Sequence, residues 1–280
     1  MLIKLLTSLI PFRKLRRAAR KNIRNSLADI CGSYLKLTDS LVEEFARKDT
    51  LIQKNTKALV IAPHPDDEAI GLGGVMAKYP KNIDCYCLNS SGFKRASDHL
   101  SFESIADIRI KEFNDCMDYL GVNSRKIWKI YGDIPHFDQM MSNLDTYKKT
   151  IDFSKYDLIF VPDRNDGHRE HQFITHFLLP KLLLDSNHKC NLKIVFYGVW
   201  GTVTNPNYFE DISSVILNKR EALKLYSSRS QDPLSLLSRV ISLNNFYGLF
   251  TGSTHAEAFR VEPVHIYLEN GLDNRWGRVK

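Results

Sequence analysis

The chain has 280 residues, 43% of them hydrophobic and 25% charged, which suits one large or two small soluble domains, and its many aromatic residues exclude a disordered chain. The formal net charge of +7 is uneven: positions 1–25 hold eight basic residues and no acidic one, leaving 31 basic against 32 acidic residues for positions 26–280. That near-neutral remainder argues against a broad nucleic-acid-binding face, so no nucleic-acid partner is expected.

Residues 1–54 read as a basic amphipathic helical extension and residues 55–280 as a single domain. The first apolar run, Leu2 to Ile10, is interrupted by Lys4 and falls short of the ~20 residues that span a bilayer. Its charges follow the apolar run and no small-residue cleavage pattern comes after them, the reverse of a signal peptide. Beyond Pro11, Leu15, Ala19, Ile23 and Leu27 recur every four residues with Arg and Lys on the other faces. Residues 1–27 are therefore expected to lie on an anionic membrane surface, at roughly 1 kcal/mol per basic residue. A solvated basic helix packed on its own domain, or a frayed terminus, is the plainer alternative. Residues 26–54 read as one or two linking helices.

From Lys57 onward, strands and helices alternate. "KALVIA" reads as a strand, "EAIGLGGVMAKY" as a helix and "IDCYCLN" as a strand. "SFESIADIRIKEFNDCMDYLG" reads as a long amphipathic helix closed by Gly121. "KIWKIY" reads as a strand, "QMMSNLDTYKKTI" as one helix, "YDLIFVPD" as a strand, "EHQFITHFLLPKLLL" as a helix and "LKIVFYGVW" as a strand. This βαβ spacing predicts an α/β sandwich with a mainly parallel sheet covered on both faces. The five cysteines, Cys31, Cys85, Cys87, Cys116 and Cys190, include no CxxC; Cys85 and Cys87 share one strand face and read as buried small hydrophobes in a reducing compartment.

In such sheets ligands bind beyond the carboxyl ends of the strands. Two polar clusters fall there: "HPDDE" after the first strand and "PDRNDGHREH" after "DLIFV". His64, Asp67 and His171 make a two-histidine, one-carboxylate set that suits zinc and leaves a position for water, although iron or cobalt would accept the same ligands. Asp66 beside Asp67 is placed to act as general base on an activated water. His168, if protonated, would stabilise an oxyanion, with Glu170 or Asp166 pairing to keep it charged. Glu68 reads as a support. Taken alone, "DDE" before a helix is equally an N-cap with first-turn acids, and "HREH" alone is ordinary helix surface. The lone residues His136, His176 and His255 read as structural. "GLGG" at 71–74 matches a phosphate loop poorly and suits close helix packing.

"APHPDDEAIGLGG" followed by "HREH" resembles the LmbE-like, or PIG-L-like, zinc-dependent N-deacetylases. "RIKEFNDCMDYLG", "DISSVILNKREALKLYSSRSQ" and "HAEAFRV" extend the resemblance over roughly residues 57–262. It implies a Rossmann-like α/β sandwich, with His64, Asp67 and His171 as metal ligands, Asp66 as general base and His168 assisting at the oxyanion. Arg109 resembles a substrate-side arginine, with an Arg109–Glu112 ion pair as its alternative. The family usually reads His-Pro-Asp-His where this chain has His168, Arg169, Glu170 and His171; Glu170 keeps the acid that would orient His168.

The expected function is removal of the N-acetyl group from a lipid-linked or nucleotide-linked N-acetylhexosamine during bacterial surface-polysaccharide biosynthesis, by a cytoplasmic, peripheral membrane enzyme. "IPFRKLRR" loosely resembles the start of such surface-glycan enzymes. The alternatives are a membrane-associated metal-dependent glycosyltransferase, a deacetylase or amidase acting on a small thiol–sugar conjugate, and a non-catalytic binding module on the same fold.

Overall fold

A computed structural model describes residues 50–90, 100–131, 136–228 and 233–270. Most of the expected N-terminal extension, residues 1–49, lies outside these. The stretch 50–54 is tied to the domain: Ile52 is buried in the core and the Leu51 amide donates to the Tyr208 hydroxyl at 2.8 Å.

Among the described residues seven strands form the sheet: β1 (Ala58–Ala62), β2 (Ile83–Cys87), β3 (Ser124–Ile127), β4 (Leu158–Pro162), β5 (Lys193–Tyr197), β6 (Tyr208–Asp211) and β7 (Ala256–Pro263). Their spatial order is β3-β2-β1-β4-β5-β7-β6. The first five are mutually parallel, while β7 pairs antiparallel with both β5 and β6. The sandwich is therefore as expected, with an antiparallel edge that the sequence pattern did not disclose. The chain winds outward from β1 to β3 and then returns to place β4 on the other side of β1. That reversal makes the space beyond the carboxyl ends of β1 and β4 the switch point where doubly wound sheets bind ligands.

The two central strands β1 and β4 are apolar at every position because both faces are covered. Along β1, Ala58, Val60 and Ala62 enter one core and Leu59 and Ile61 the other. The first core packs beneath α1 (Asp67–Lys78) and α2 (Phe102–Leu120), with α7 (Ile216–Lys224) and α8 (Pro233–Gly248). The second packs against α3 (His136–Ser142), α4 (Leu144–Thr150), α5 (Arg169–Phe173), α6 (Leu179–Leu184) and α9 (Val264–Glu269). Cys85 and Cys87 are buried in the first core, as their shared face predicts.

Helix α2 begins and ends where expected. The Ser101 hydroxyl accepts the Ser104 amide at 3.1 Å, and Gly121 closes the helix at φ 78, a left-handed conformation that glycine adopts at little cost. Three expectations shift. The strand expected over "KIWKIY" stops at Ile127, because β2 ends opposite it at Cys87; Trp128 then turns its ring edge-on to Tyr147, at 4.8 Å between centroids. The single helix expected over 139–151 is two, α3 and α4, broken at Asn143, whose side-chain amide donates to the Gln139 carbonyl at 2.8 Å. Between α5 and α6 the helix widens into a π-helical stretch, Ile174–Leu178, ahead of Pro180. Pro180 has no N–H to return, and the Tyr267 hydroxyl donates to the Thr175 carbonyl at 2.5 Å instead.

Candidate active site

The loop from Ala62 to Asp67 turns the chain out of β1 and straight into α1. His64 carries both ends of the turn: its amide donates to Asp67 Oδ2 at 2.9 Å and its carbonyl accepts the Asp67 amide at 3.3 Å. Asp66 pays for this tightness with φ 107, a left-handed conformation unusual for a residue with a side chain, held because the segment is buried and tied on both sides. From β4 the chain runs through a second turn to α5. There Asp166 accepts the His168 amide at 2.9 Å, and its own carbonyl accepts the Gln172 side chain at 2.8 Å.

These two loops bring together His64 and His171, 107 positions apart in sequence. His64 Nδ1, Asp67 Oδ2 and His171 Nε2 form a triangle with edges of 3.1, 3.0 and 3.2 Å. Donors around a tetrahedral zinc stand about 3.3–3.5 Å apart, so the triangle is close to one ready-made face of such a site. Asp67 Oδ1 is buried and has no hydrogen-bond partner among the described residues, as expected of a carboxylate meant to face a cation. The charge balance agrees. Burial alone would raise the Asp67 carboxyl, but His171 and His64 outweigh it and hold Asp67 well below the ordinary carboxylate range. Burial alone would lower His171, but Asp67 and Asp166 push it up to about 10. The carboxylates around His171 thus demand a positive charge, which a proton or a metal ion can provide. Residues and site fit a divalent transition metal.

Each inner imidazole nitrogen faces the triangle, and each outer one faces another acid. Glu170 Oε2 lies 2.5 Å from His64 Nε2, and Asp166 Oδ1 lies 3.1 Å from His171 Nδ1. Carboxylates in this position fix the tautomer and orientation of metal-binding histidines. The expectation that Glu170 or Asp166 pairs with the His168 ring is therefore corrected: α5 points Glu170 back at the first loop, and Asp166 reaches only the His168 backbone. Asn89, fully buried beyond β2, adds a 3.3 Å hydrogen bond to Glu170.

His168 stands one step out. Its ring lies 5.0 Å from that of His64 and 4.8 Å from that of His171, and each of the three histidines offers a nitrogen within 4.8 Å of the others. Two ligands across one zinc are at most about 4.2 Å apart, so the tighter His64–Asp67–His171 triangle is the better ligand set. Burial, then the neighbouring imidazoles of His64 and His171, lowers His168 to about 4, making it a neutral hydrogen-bonding group at neutral pH. The Trp200 indole stacks beside it at 6.5 Å, and the Trp200 amide donates to Asp166 Oδ2 at 3.0 Å.

Arg109 reaches the first loop from α2. Its Nη2 donates to the Pro65 carbonyl at 2.7 Å and lies 3.6 Å from Asp66 Oδ1. The alternative Arg109–Glu112 pair does not form; Glu112 accepts from the Ser228 amide at 2.7 Å and from the hydroxyls of Ser227 and Ser228. Glu68 is a support, as expected. It is buried, accepts the Tyr226 hydroxyl and the Asp66 amide, and is raised by burial to about 8. Among the lone histidines, His176 bonds the Arg164 carbonyl at 2.8 Å and His255 bonds Thr254, which leaves both outside the cluster. The side chain of His136 lies outside the described residues.

With this geometry in view, residues 59–180 match the family model described as PIG-L, GlcNAc-PI de-N-acetylase. That stretch takes in both polar clusters of the site, from His64 to His171. The chain is similar to a diacetylchitobiose deacetylase from Thermococcus kodakarensis, 28% identical over 233 residues that make up 74% of this chain and 83% of the relative. Its fold resembles that of the N,N'-diacetylchitobiose deacetylase of Pyrococcus horikoshii, with a TM-score of 0.63 at 23% identity, covering 84% of this chain and 94% of the other. It also resembles GalB, the 4-carboxy-2-hydroxymuconate hydratase from Pseudomonas putida, with a TM-score of 0.56 at 16% identity over 74% of this chain and 95% of the other. A deacetylase and a hydratase on one fold show that the reaction must be argued from the site.

Trp200 and Asn89 escaped the sequence reading. Neither lies in a motif; each follows an apolar strand that ends at the same edge of the sheet, the one signal that would have found them.

Proposed function

We propose that this chain hydrolyses the N-acetyl amide of an amino sugar, releasing acetate and the free amine, with zinc held by His64, Asp67 and His171. The observation that carries the reading is the buried triangle of donor atoms, with edges of 3.0 to 3.2 Å and an acid behind each imidazole. When bound, zinc supplies a Lewis acid and lowers the pKa of its water to about 7. Asp66, one residue before the carboxylate ligand, takes the proton from the attacking water and returns it to the amine nitrogen as the C–N bond breaks. Arg109 holds the Pro65 carbonyl and the Asp66 carboxylate, so the base keeps its aim. His168, neutral and beside both ligand histidines, donates an N–H to the oxygen that gains charge as the amide carbon becomes tetrahedral. The names of the diacetylchitobiose deacetylases support an N-acetylated sugar as substrate.

The rest of the substrate has a place to go. A cavity of about 270 Å³ opens beside the site, among Ile70, Trp200, Val203, Val240, Leu243 and Tyr247. It reaches the site through Trp200, whose amide bonds Asp166. The walls also carry Thr202, Arg239 and Asn244, but they are mainly apolar, which favours a conjugate whose sugar carries an apolar group and, of the two carriers expected above, the lipid over the nucleotide. A lipid-linked substrate in surface-glycan assembly also fits a basic segment over residues 1–27 resting on an anionic bilayer. No described helix is long and apolar enough to cross a membrane.

The test is direct. Purified protein carries about one zinc per chain. D66N retains that zinc and loses turnover by about 10²- to 10⁴-fold, the usual worth of a general base. Undiminished acetate release from N-acetylhexosamine conjugates by D66N would remove the role given to Asp66. A chain that binds no zinc would end the whole reading. Sedimentation of the full chain with anionic vesicles, lost on deleting residues 1–27, tests the membrane half.

A further inference from the structure

Helix α1 carries Asp67 at its first position and breaks at Leu72, where φ is −146 and ψ is 26. In an unbroken helix the Ile70 carbonyl accepts the Gly74 amide. Here a fully buried ion pair reaches both of those groups. Lys219 Nζ, from α7, donates to the Ile70 carbonyl at 2.8 Å. Glu257, from β7, accepts the Gly74 and Val75 amides at 2.8 Å each. Lys219 Nζ and Glu257 Oε1 then close the circuit at 2.6 Å, with both side chains 0% exposed. The "GLGG" run makes room for this: a Cβ on Gly73 would stand 3.2 Å from Lys219 Cγ, and one on Gly74 2.6 Å from Ile212.

A buried ion pair is seldom more stabilising than apolar side chains of the same volume, and a straight helix would have satisfied Ile70 and Gly74 unaided. What the pair adds is direction. It pins the carbonyl of Ile70 one turn beyond Asp67, while Tyr226, just past α7, holds Glu68 on the same turn. We propose that Lys219 and Glu257 are positioning residues for the metal centre: they set the kink that aims Asp67, with Asp66 before it, at His64 and His171. This rests on the metal-site reading above, so zinc binding by the unaltered chain is measured first; failure there overturns both.

The test is the double substitution K219M/E257M, which removes both charges and lets α1 close its own ladder. With the fold checked by circular dichroism and a thermal scan, zinc affinity falls about tenfold or more, as for other residues that orient metal ligands. At saturating zinc, kcat falls about tenfold while KM stays within about threefold, a split that loss of stability alone does not produce. Zinc affinity and kcat both within about twofold of the parent would overturn the proposal. A second measurement needs no variant. If the kink favours the metal, the metal favours the kink to the same degree. In the unaltered chain, zinc therefore slows hydrogen exchange of the Gly74 and Val75 amides at least about tenfold more than that of Val195 and Phe196 in β5. Equal slowing at the two places would overturn the proposal even if the double variant fails to fold.

Discussion

The two sides of helix α1 solve opposite electrostatic problems. Toward the carboxyl ends of β1 and β4, Asp67 and His171 are both fully buried, yet Asp67 Oδ1 lacks a hydrogen-bond partner among the described residues and three donor atoms crowd one point. Toward α7 and β7, Lys219 and Glu257 are as deeply buried, and between them they satisfy two amides, a carbonyl and each other. Buried polar groups that saturate one another build structure. Buried acceptors left without partners carry an unmet desolvation cost that a bound ligand would relieve.

The sharpest way to break this comparison is to empty the first side. His64→Ala or His171→Ala removes a ligand outright; zinc is lost at micromolar concentrations and acetate release falls to background, read by metal analysis and a turnover assay. Next comes a change that touches neither side. Phe160→Ala on β4, in the core beneath the sheet, costs about 3–5 kcal/mol of stability in a denaturant titration. It leaves zinc content per folded molecule unchanged. Smaller again is removal of an acid behind a ligand: Asp166→Ala or Glu170→Ala weakens zinc by about 10- to 100-fold without removing it. Full affinity in either variant would show that these acids do not orient the histidines.

The smallest effect lies far from the site, at the rim where Asp157 accepts the Lys57 amide at 2.9 Å and Lys189 Nζ at 2.7 Å. Partial burial raises the Asp157 carboxyl, but the Lys189 hydrogen bond and the Lys57 amide outweigh it and lower its pKa. A carboxyl lowered on folding contributes stability above its unfolded value of about 3.9 and loses it as pH falls through the lower folded value. Asp157→Asn therefore costs less than about 1 kcal/mol at pH 7, and the difference from the parent closes only in the acid range below about pH 4. A deficit that persisted at lower pH would point to lost packing instead.

The chemistry-bearing residue types of the site were legible because they sit at strand ends, where an apolar run stops abruptly in His, Asp and Glu. Their partners were not legible. Neighbours in sequence suggested that Glu170 or Asp166 serves His168 and offered Glu112 as an alternative partner for Arg109. The folded chain instead sends Glu170 to His64, 106 positions away, and Arg109 to the loop before α1. The break between α3 and α4 at Asn143 and the early end of β3 were missed for a related reason. Periodicity continues through both, and only a competing side-chain hydrogen bond or the length of the neighbouring strand stops the element.

The sequence by itself determined the alternation of buried strands with amphipathic helices and the delivery of two polar clusters to one edge of a parallel sheet, since period and residue type are local properties of the chain. It also carried the resemblance that the family match over residues 59–180 supports. Only the tertiary structure decided which acid stands behind which imidazole, that burial lowers the pKa of His168, that β6 and β7 run antiparallel, and that a lysine and a glutamate meet at the kink of α1. Those outcomes depend on which side chains from distant segments are shut into the same dry space, where each buried charge takes the nearest complementary group whatever its place along the chain.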